Sequence, residues 1–277
     1  MTERLALLAA LAAIGRMALP ATIRFLLRHR LTSTNYAGDV IPTGTGALLA
    51  VLAASLYGSA AALHAIGLVS ADTLRSVETE MAAYMLVFAV GWTDDLIGDR
   101  SVKGFGGHWR SFRETGTLST GALKAAGVGL AALWIVRGGT VWWEAAVDWA
   151  TIVLSANALN LLDVRPGRAW KMFYAGAALL AIADPAWSRS VWLLPGAAGG
   201  AALFGGDLKG KHMLGDSGAN LLGFSLGCSI AGAAPWWLQT GALIVLAAMH
   251  RTAETGSITA WIERHKWLRW FDRLGRA

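Results

Sequence analysis

The feature that most restricts the fold is a succession of nine apolar stretches that occupy most of the chain. They lie at about 5–27, 47–69, 79–97, 121–136, 144–162, 170–184, 190–204, 218–234 and 237–249. A helix that crosses a bilayer needs about 20 mainly apolar residues, and several of these stretches are shorter. The short loops leave none of the 277 residues for a water-soluble domain. The pattern predicts an all-α, polytopic membrane helical bundle of about nine transmembrane helices, with residues 1–277 forming one domain.

The composition agrees with a membrane protein and argues against a soluble one. Charged residues make up 15% of the chain, hydrophobic residues 55%, and the mean hydropathy is +0.47. Soluble domains carry about 25% charged residues. The single cysteine, Cys228, excludes a disulfide within the chain and says nothing about the redox compartment. The first stretch contains Arg16 and Pro20 and no recognisable cleavage site, so we expect a retained span rather than a cleaved signal.

The basic residues predict the orientation in the membrane. With nine spans, the loops 28–46, 98–120, 163–169 and 205–217 lie on one side, together with the tail from His250. These loops, with the adjoining ends of the spans, hold nineteen of the 24 Lys and Arg residues. The positive-inside rule places them in the cytoplasm and the N-terminus outside. The net charge of +6 is therefore attributed to topology, and we expect no nucleic acid partner.

Three acids stand where the third apolar stretch reaches water. The segment GWTDDLIGDR, residues 91–100, contains Asp94, Asp95 and Asp99. A carboxylate at the end of a span pairs with a cation, binds a metal or lies in a wet cleft, because burying it unpaired is costly. The alternative is that these acids mark the headgroup boundary. The predicted topology puts Asp163 and Asp216 at the same cytoplasmic level, which favours a shared site.

The fifth stretch ends in SANALNLLDVRPGR. Asn157, Asn160 and Asp163 follow one another at intervals of three residues, so the three side chains can share one helical face. Amides aligned with a carboxylate can coordinate a metal or hold a sugar or uracil. They can equally join two transmembrane helices, and the sequence leaves both interpretations open.

A glycine-rich segment, GGDLKGKHMLGDSG, precedes a span that we expect to begin at about Gly218. Backbone N–H groups at a helix start, together with Lys211 and the neighbouring Gly215, suit a phosphate group. Asp216 suits the magnesium that phosphates carry. The glycines of GFSLG, Gly223 and Gly227, indicate close packing between helices. Another turn-rich cytoplasmic segment, NYAGDVIPTGTG at 35–46, indicates only a loop by itself.

The tail, residues 257–277, predicts a cytoplasmic amphipathic helix on the membrane surface. The apolar face consists of Ile258, Trp261, Ile262, His265, Leu268, Trp270 or Phe271, and Leu274. The other face carries Glu263, Arg264, Lys266, Arg269 and Arg273. Simple anchoring and the binding of a phosphorylated lipid or another anionic partner are both open functions for it.

Four motifs in this order resemble one family, over roughly Asn35 to His250. They are IPTGTG after the first span, DDLIGDR and NALNLLD at the ends of later spans, and MLGDSGANLLG opening another. The chain is similar to the polyprenyl-phosphate N-acetylhexosamine-1-phosphate transferases, which include the bacterial enzyme that makes the first lipid intermediate of peptidoglycan. The resemblance implies a multi-pass enzyme of the bacterial cytoplasmic membrane, with its site facing the cytoplasm. Such an enzyme transfers a sugar 1-phosphate from a UDP-sugar to polyprenyl phosphate and releases UMP.

The resemblance also implies roles for individual residues. The catalytic candidates are Asp94, Asp95 and Asp163; the ligands expected for Mg²⁺, or for Mn²⁺ in its place, are Asp216, Asp95 and Asn160. The candidates for substrate binding are Asn157, Asn160, Lys103, Lys124, Lys211, His250 and Gly215. Pairing of the chain with a second copy is an open alternative.

The chain departs from the family at three places. A histidine cluster is replaced by MHRTAETGS, the continuation after Asp163 reads VRPGRAWK, and nine spans replace the ten of the peptidoglycan enzyme. These differences argue against a pentapeptide-bearing substrate. The alternative is a catalytically silent relative that binds polyprenyl phosphate or a nucleotide sugar as a scaffold or regulator. A transporter is the least favoured function, because its acids should lie near the bilayer midplane. Arg165, Arg168 and Arg251 are either substitutes for phosphate contacts or topological charges, with the latter favoured.

Overall fold

The chain folds into a helical bundle with one small hairpin. A computed structural model describes residues 2–98, 113, 116, 119–139, 141–183 and 191–276. Its helices are α1 Thr2–Arg28, α2 Gly46–Ala65, α3 Ala71–Ile97, α4 Thr120–Val136, α5 Trp142–Leu162, α6 Arg168–Ala183, α7 Leu193–Leu208, α8 Gly215–Ala233, α9 Trp236–Thr255, α10 Ile258–Arg264 and α11 Lys266–Arg273. The strands β1 Thr32–Thr34 and β2 Val40–Pro42 pair antiparallel. Asp99 and Lys103 lie outside the described residues.

The nine long helices α1–α9 coincide with the nine apolar stretches. Three of them, α1, α2 and α5, are long and apolar enough to cross a membrane. Serine hydroxyls set two of the starts, because Ser70 accepts the N–H of Thr73 at 3.2 Å and Ser119 accepts that of Ala122 at 3.2 Å. The helical class is therefore confirmed and a membrane protein is indicated, whereas the nine-span count stays a prediction.

Helix α8 lies at the centre of the bundle, and every residue from Ser217 to Ile230 is buried. Its closest neighbour is α5. A Cβ added at Gly223 would overlap the carbonyl oxygen of Ser155, and one at Gly227 would lie 2.7 Å from the Cα of Ile152. The packing interpretation of GFSLG is confirmed, since only glycine lets the two backbones come this close.

Several boundaries differ from the expected ones. Helix α7 continues to Leu208 and α8 begins at Gly215, so residues 209–214, rather than 205–217, connect them. Gly206, within α7, leaves room for His212, because a Cβ at this position would overlap the imidazole ring. Helix α9 continues to Thr255 instead of ending near residue 249. The expected loop at 28–46 contains the β1–β2 hairpin, whose register pairs Ser33 with Ile41.

The tail forms two short helices instead of the expected single one. His265 separates them with an extended backbone (φ −104°, ψ 112°). The isoleucines of α10, Ile258 and Ile262, pack against Leu162 at the end of α5. This end of α5 is also where the candidate site lies.

Candidate functional site

Asp95, at the end of α3, binds the start of α8. Its Oδ1 accepts the N–H of Asp216 at 2.7 Å, and its Oδ2 accepts the N–H of Ser217 at 3.0 Å and the Ser217 hydroxyl at 2.6 Å. A carboxylate is favoured here by the partial positive charge of a helix N-terminus. Two backbone N–H groups at this helix start, where the sequence predicts phosphate binding, therefore bind a carboxylate of the chain itself in this structure.

Lys124, in the first turns of α4, joins the other two acids. Its Nζ lies 2.6 Å from Oδ2 of Asp94 and 2.5 Å from Oδ2 of Asp216. The side chains of Lys124 and Asp94 are only 14% and 13% exposed, whereas that of Asp216 is 34% exposed. One ammonium thus holds two carboxylates in a largely enclosed position, and the group keeps an excess negative charge.

The IPTGTG segment is joined to the residues just before α8. The Thr45 hydroxyl donates to the carbonyl of Met213 at 3.0 Å, and the Gly46 N–H donates to the carbonyl of Leu214 at 3.0 Å. A Cβ at Gly46 would overlap the backbone of Gly218. Two segments that are far apart in the sequence therefore meet without intervening side chains.

Gly215 occupies a backbone position that favours glycine. Its φ is +73°, and an added Cβ would lie 2.7 Å from Oδ1 of Asp95 and 2.9 Å from the backbone nitrogen of Gly44. Both the left-handed backbone and the lack of space exclude a side chain. The glycine expected to bind substrate thus has a clear structural role between α3 and the IPTGTG segment.

Asp163 caps the C-terminus of α5 and faces the same acids. Its N–H donates to the carbonyls of Leu159 and Asn160 at 3.1 and 3.2 Å. Loss of hydration raises the pKa of the Asp163 carboxyl well above its usual value, the negative charges of Asp207, Asp216 and Asp95 raise it further, and a hydrogen bond from the Gly215 backbone opposes the rise. The structure brings Asp163 near Asp216 and Asp95, so the site has a surplus of negative charge, while the cytoplasmic level of these acids stays a prediction.

A cavity of about 240 Å³ opens beside Asp163. It is lined by Thr34, Asn35, Tyr36, Ile41, Asp163, Val164, Arg165, Pro166, Asp207, Gly210, His212 and Met213. The guanidinium of Arg165 lies 5.8 Å from the ring centroid of Tyr36. This cavity combines an aromatic face, a cation and carboxylates in one enclosed space.

Two groups in the wall of this cavity were missed by sequence reasoning. Asp207 is buried and accepts the N–H of Gly167 at 2.7 Å. His212 is 7% exposed, its Nδ1 has no hydrogen-bond partner among the described residues, and burial lowers its pKa to about 4. Both residues belong to the GGDLKGKH segment, Asp207 at the end of α7 and His212 in the connection that follows, but no local pattern indicates that their side chains point inward.

Asn157 and His250 form a separate pair between α5 and α9. The amide Nδ2 of Asn157 lies 2.8 Å from Nε2 of His250, and Nδ1 of His250 lies 2.8 Å from the carbonyl of Leu246. The Leu246 carbonyl accepts a hydrogen bond from the Nδ1–H of His250. The unprotonated Nε2 therefore accepts a hydrogen bond from the amide of Asn157. Asn157 precedes Asp163 by six residues, about 9 Å along a helix. The pair therefore joins two helices, which favours that interpretation of Asn157.

Among the described residues, the remaining candidates make no side-chain hydrogen bond with the acids of the site. Asn160 is half-buried one turn before Asp163, and Lys211 is exposed in the segment before α8. Arg168 is 3% exposed and its guanidinium is paired with Asp272, so in this structure it is not available to a phosphate. Lys103 belongs to the part of the chain outside the description.

The acids suit a divalent cation by their chemistry. Within the described ranges, no three His, Cys, Asp or Glu side chains form a ready-made metal site. Magnesium, however, is usually held by one or two carboxylates together with water and substrate phosphates. Asp94 and Asp216 already share one positive group, the ammonium of Lys124. The oxygen donors therefore fit Mg²⁺ in an open site that substrate would complete.

In comparisons with known proteins, no protein-family model and no curated protein sequence matches the chain. The resemblance to the polyprenyl-phosphate transferases therefore depends on the four motifs and on the contacts between them.

Proposed function

We propose that the protein transfers a sugar 1-phosphate, with N-acetylhexosamine 1-phosphate as the expected group, from a UDP-sugar to polyprenyl phosphate. UMP is the second product, and the lipid-linked sugar is the first membrane-bound intermediate of a cell-envelope glycan. According to this proposal, the protein is a multi-pass enzyme of the bacterial cytoplasmic membrane. It has nine spans, and its site faces the cytoplasm.

One observation carries the proposal: the four motifs that suggested the family are in mutual contact. Asp95 of DDLIGDR binds the start of α8, IPTGTG binds the residues before α8, and Gly215 donates to Asp163 of NALNLLD. Motifs that arose by chance in separate loops would have no reason to converge. The motifs converge around the carboxylates of Asp94, Asp95, Asp163 and Asp216 and the ammonium of Lys124, which supports an ionic reaction centre.

The reaction requires two anions to approach each other. A phosphate oxygen of the lipid attacks the phosphorus next to the sugar, and the bond from that phosphorus to the bridging oxygen breaks, so that UMP leaves. Lys124 can neutralise phosphate charge at this point. A carboxylate such as Asp94 can accept the proton of a lipid phosphate or act as a covalent nucleophile, and both routes are open.

Asp94 and Asp216 are the residues that would hold Mg²⁺. A bound magnesium ion supplies charge neutralisation and orients phosphate oxygens. Lys124 would then be free to turn from the two carboxylates towards a substrate phosphate. Asp95 keeps the start of α8 in place, and this makes it a positioning residue in addition to a candidate for catalysis.

The cavity beside Asp163 is the proposed place for the nucleotide part of the UDP-sugar. Tyr36 and Arg165 offer stacking surfaces to a base, and Asn35 offers an amide. The cavity borders Asp163 directly, so a nucleotide held there would direct its diphosphate towards the carboxylates. On this proposal Arg165, in the segment VRPGRAWK that departs from the family, contributes to nucleotide binding.

The test is UMP release by the purified full-length protein supplied with Mg²⁺, polyprenyl phosphate and a panel of UDP-sugars. We expect release only when the lipid is present. D94N and D216N should each lower the rate by at least about 100-fold, because each removes charge at the reaction centre. The control is D72N, which changes an exposed acid in the first turn of α3 and should leave the rate unchanged.

Three outcomes decide the matter. Lipid-dependent release that is lost in D94N and D216N supports the transferase. Unchanged rates in both variants would refute the assignment of the site. UDP-sugar binding without release, under conditions in which an established transferase turns over, would favour the silent scaffold instead.

A further inference from the structure

We propose that α11 is a binding site for the phosphate headgroups of anionic phospholipids, with its tryptophans inserted at the membrane interface. The proposal goes beyond the transfer reaction and does not depend on it. It assigns a ligand to the tail helices, which the proposed reaction does not use.

The first observation is a row of cations on one face of α11. Lys266, Arg269 and Arg273 follow one another at helical spacing and, with Trp270 and Leu274, line an open groove of about 410 Å³. Arg273 binds Glu263 at 2.9 Å. Among the residues that the structure describes, no carboxylate pairs with Lys266 or Arg269. The groove therefore presents an excess positive charge to its surroundings.

The second observation is an apolar strip beside this row. Trp267 is 83% exposed, Trp270 60% and Leu274 51%. In water, three large apolar side chains side by side on so short a helix would be unfavourable. Tryptophan prefers the boundary between headgroups and acyl chains, since its ring is apolar and its N–H is polar.

The third observation is that the helix cannot turn to hide these residues. Asp272, on the opposite face, is 4% exposed and accepts two hydrogen bonds from Arg168, at 2.7 and 2.9 Å, and two from Arg276, at 2.6 and 3.0 Å. Lys171 donates to the backbone carbonyl of Asp272 at 2.6 Å. The buried contacts thus hold the cationic row and the tryptophans outward.

Charge and shape together favour a lipid surface over a free anion. A cationic row next to an aromatic strip matches the bilayer interface, where phosphates lie next to acyl chains. A free phosphate ion would pair with the cations but would leave Trp267 and Trp270 in water. The tail also packs against Leu162, at the end of α5, which is apolar enough to cross a membrane.

The experiment titrates the full-length protein in detergent with phosphatidylglycerol and counts bound lipid by native mass spectrometry. Phosphatidylcholine and inorganic phosphate are the comparison ligands. The variant K266Q/R269Q/R273Q removes the cationic row. The control R24Q/R28Q/R251Q removes three exposed cations elsewhere and changes the net charge equally.

We expect the K266Q/R269Q/R273Q variant to bind phosphatidylglycerol at least about tenfold more weakly than the wild type, because each cation near anionic headgroups contributes to binding. The affinity of the control variant for phosphatidylglycerol should stay within about twofold of the wild-type affinity. Added salt should weaken wild-type binding, since the attraction is between exposed charges. W267A/W270A should weaken phosphatidylglycerol binding while inorganic phosphate remains a poor competitor.

Equal affinity of the wild type and the K266Q/R269Q/R273Q variant would overturn the proposal. The proposal would also be overturned if the wild type bound phosphatidylcholine as tightly as phosphatidylglycerol, or if inorganic phosphate fully displaced phosphatidylglycerol. An equal loss of phosphatidylglycerol affinity in the control variant R24Q/R28Q/R251Q would overturn it as well. Salt-insensitive binding by the wild type would overturn it even if the variant failed to fold.

Discussion

Lys124 shows how a single residue defines the electrostatics of the site. Its ammonium is the group that bridges Asp94 and Asp216, and a divalent cation would compete for the same two oxygens. The position is enclosed enough that either cation stabilises the carboxylates. We therefore expect a bound divalent cation to replace part of the stabilisation of the fold that the Lys124 ammonium provides.

Replacing Lys124 by Met tests this exchange. Without Mg²⁺ we expect K124M to lose about 2 kcal/mol of unfolding free energy, because two partly buried carboxylates lose their hydrogen-bonded cation. Mg²⁺ should then raise the melting temperature of K124M more than that of the wild type, measured by thermal unfolding at constant ionic strength. K211M, which changes an exposed lysine, is the control and should behave like the wild type. If Mg²⁺ raised the melting temperatures of K124M and the wild type equally, the replacement of the lysine by the metal would be contradicted.

Gly215 permits a second test at this scale, because Gly38 provides a matched control. Both residues have a positive φ, +73° and +92°, but a Cβ at Gly215 would meet Asp95 whereas one at Gly38 would meet nothing within 4 Å. G38A should cost about 1 kcal/mol from backbone strain. G215A should cost at least about 1 kcal/mol more because of overpacking. Urea unfolding of both variants measures the difference, and equal losses would show that the Asp95 contact has no energetic role.

At the scale of elements, the lengths of the apolar stretches predicted the helices. They did not predict how the side chains of the site are oriented. The nine long helices coincide with the apolar stretches, and the predicted topology suggested that Asp94, Asp163 and Asp216 lie near one another, as they do in the structure. The position of Lys124 did not, since it depends on the rotation of α4 against α3. Adjacent aspartates are equivalent in a sequence, so nothing indicated that Asp95 binds α8 while Asp94 binds lysine.

The tail illustrates the same limit. Asp272 stands among basic residues and looks like a solvated charge, yet it is the buried anchor of α11. Burial alone would raise the pKa of Asp272, but hydrogen bonds from Arg168 and Arg276 outweigh it and hold the pKa below its usual value. The stabilisation is therefore complete above the unfolded pKa of about 3.9 and is lost as the pH falls through the lower folded value.

Replacing Asp272 by Asn should detach the tail helices from the bundle. Removing one partner of a buried ion pair costs about 3–5 kcal/mol, so we expect amide hydrogen exchange in 258–274 to accelerate while α5 and α8 stay protected. The control is D72N, which removes an exposed pair with Arg75 and should cost less than about 1 kcal/mol. Exchange in the tail that is as slow in D272N as in the wild type would show that apolar packing of α10 suffices to hold it.

At the scale of the whole molecule, the charge distribution and the site are linked through topology. The carboxylates, the cavity and the tail all belong to segments that the basic residues assign to one face of the membrane. Substrates that carry several phosphates are made inside the cell, so the proposed reaction requires this face to be cytoplasmic. A measurement of sidedness therefore tests the proposed function as well as the fold.

Single cysteines at three exposed alanines provide that measurement. With nine spans, Ala71 lies outside, whereas Ala37 in the hairpin and Ala260 in α10 lie in the cytoplasm. A membrane-impermeant maleimide should label A71C in intact cells and label A37C and A260C only after the membrane is opened. The native Cys228 is 3% exposed, so the unaltered chain should show little background. Labelling of A71C and A260C from the same side would mean an even number of spans between them and would exclude the nine-span topology. Labelling of A37C and A260C, but not of A71C, in intact cells would reverse the orientation and remove the site from its substrates.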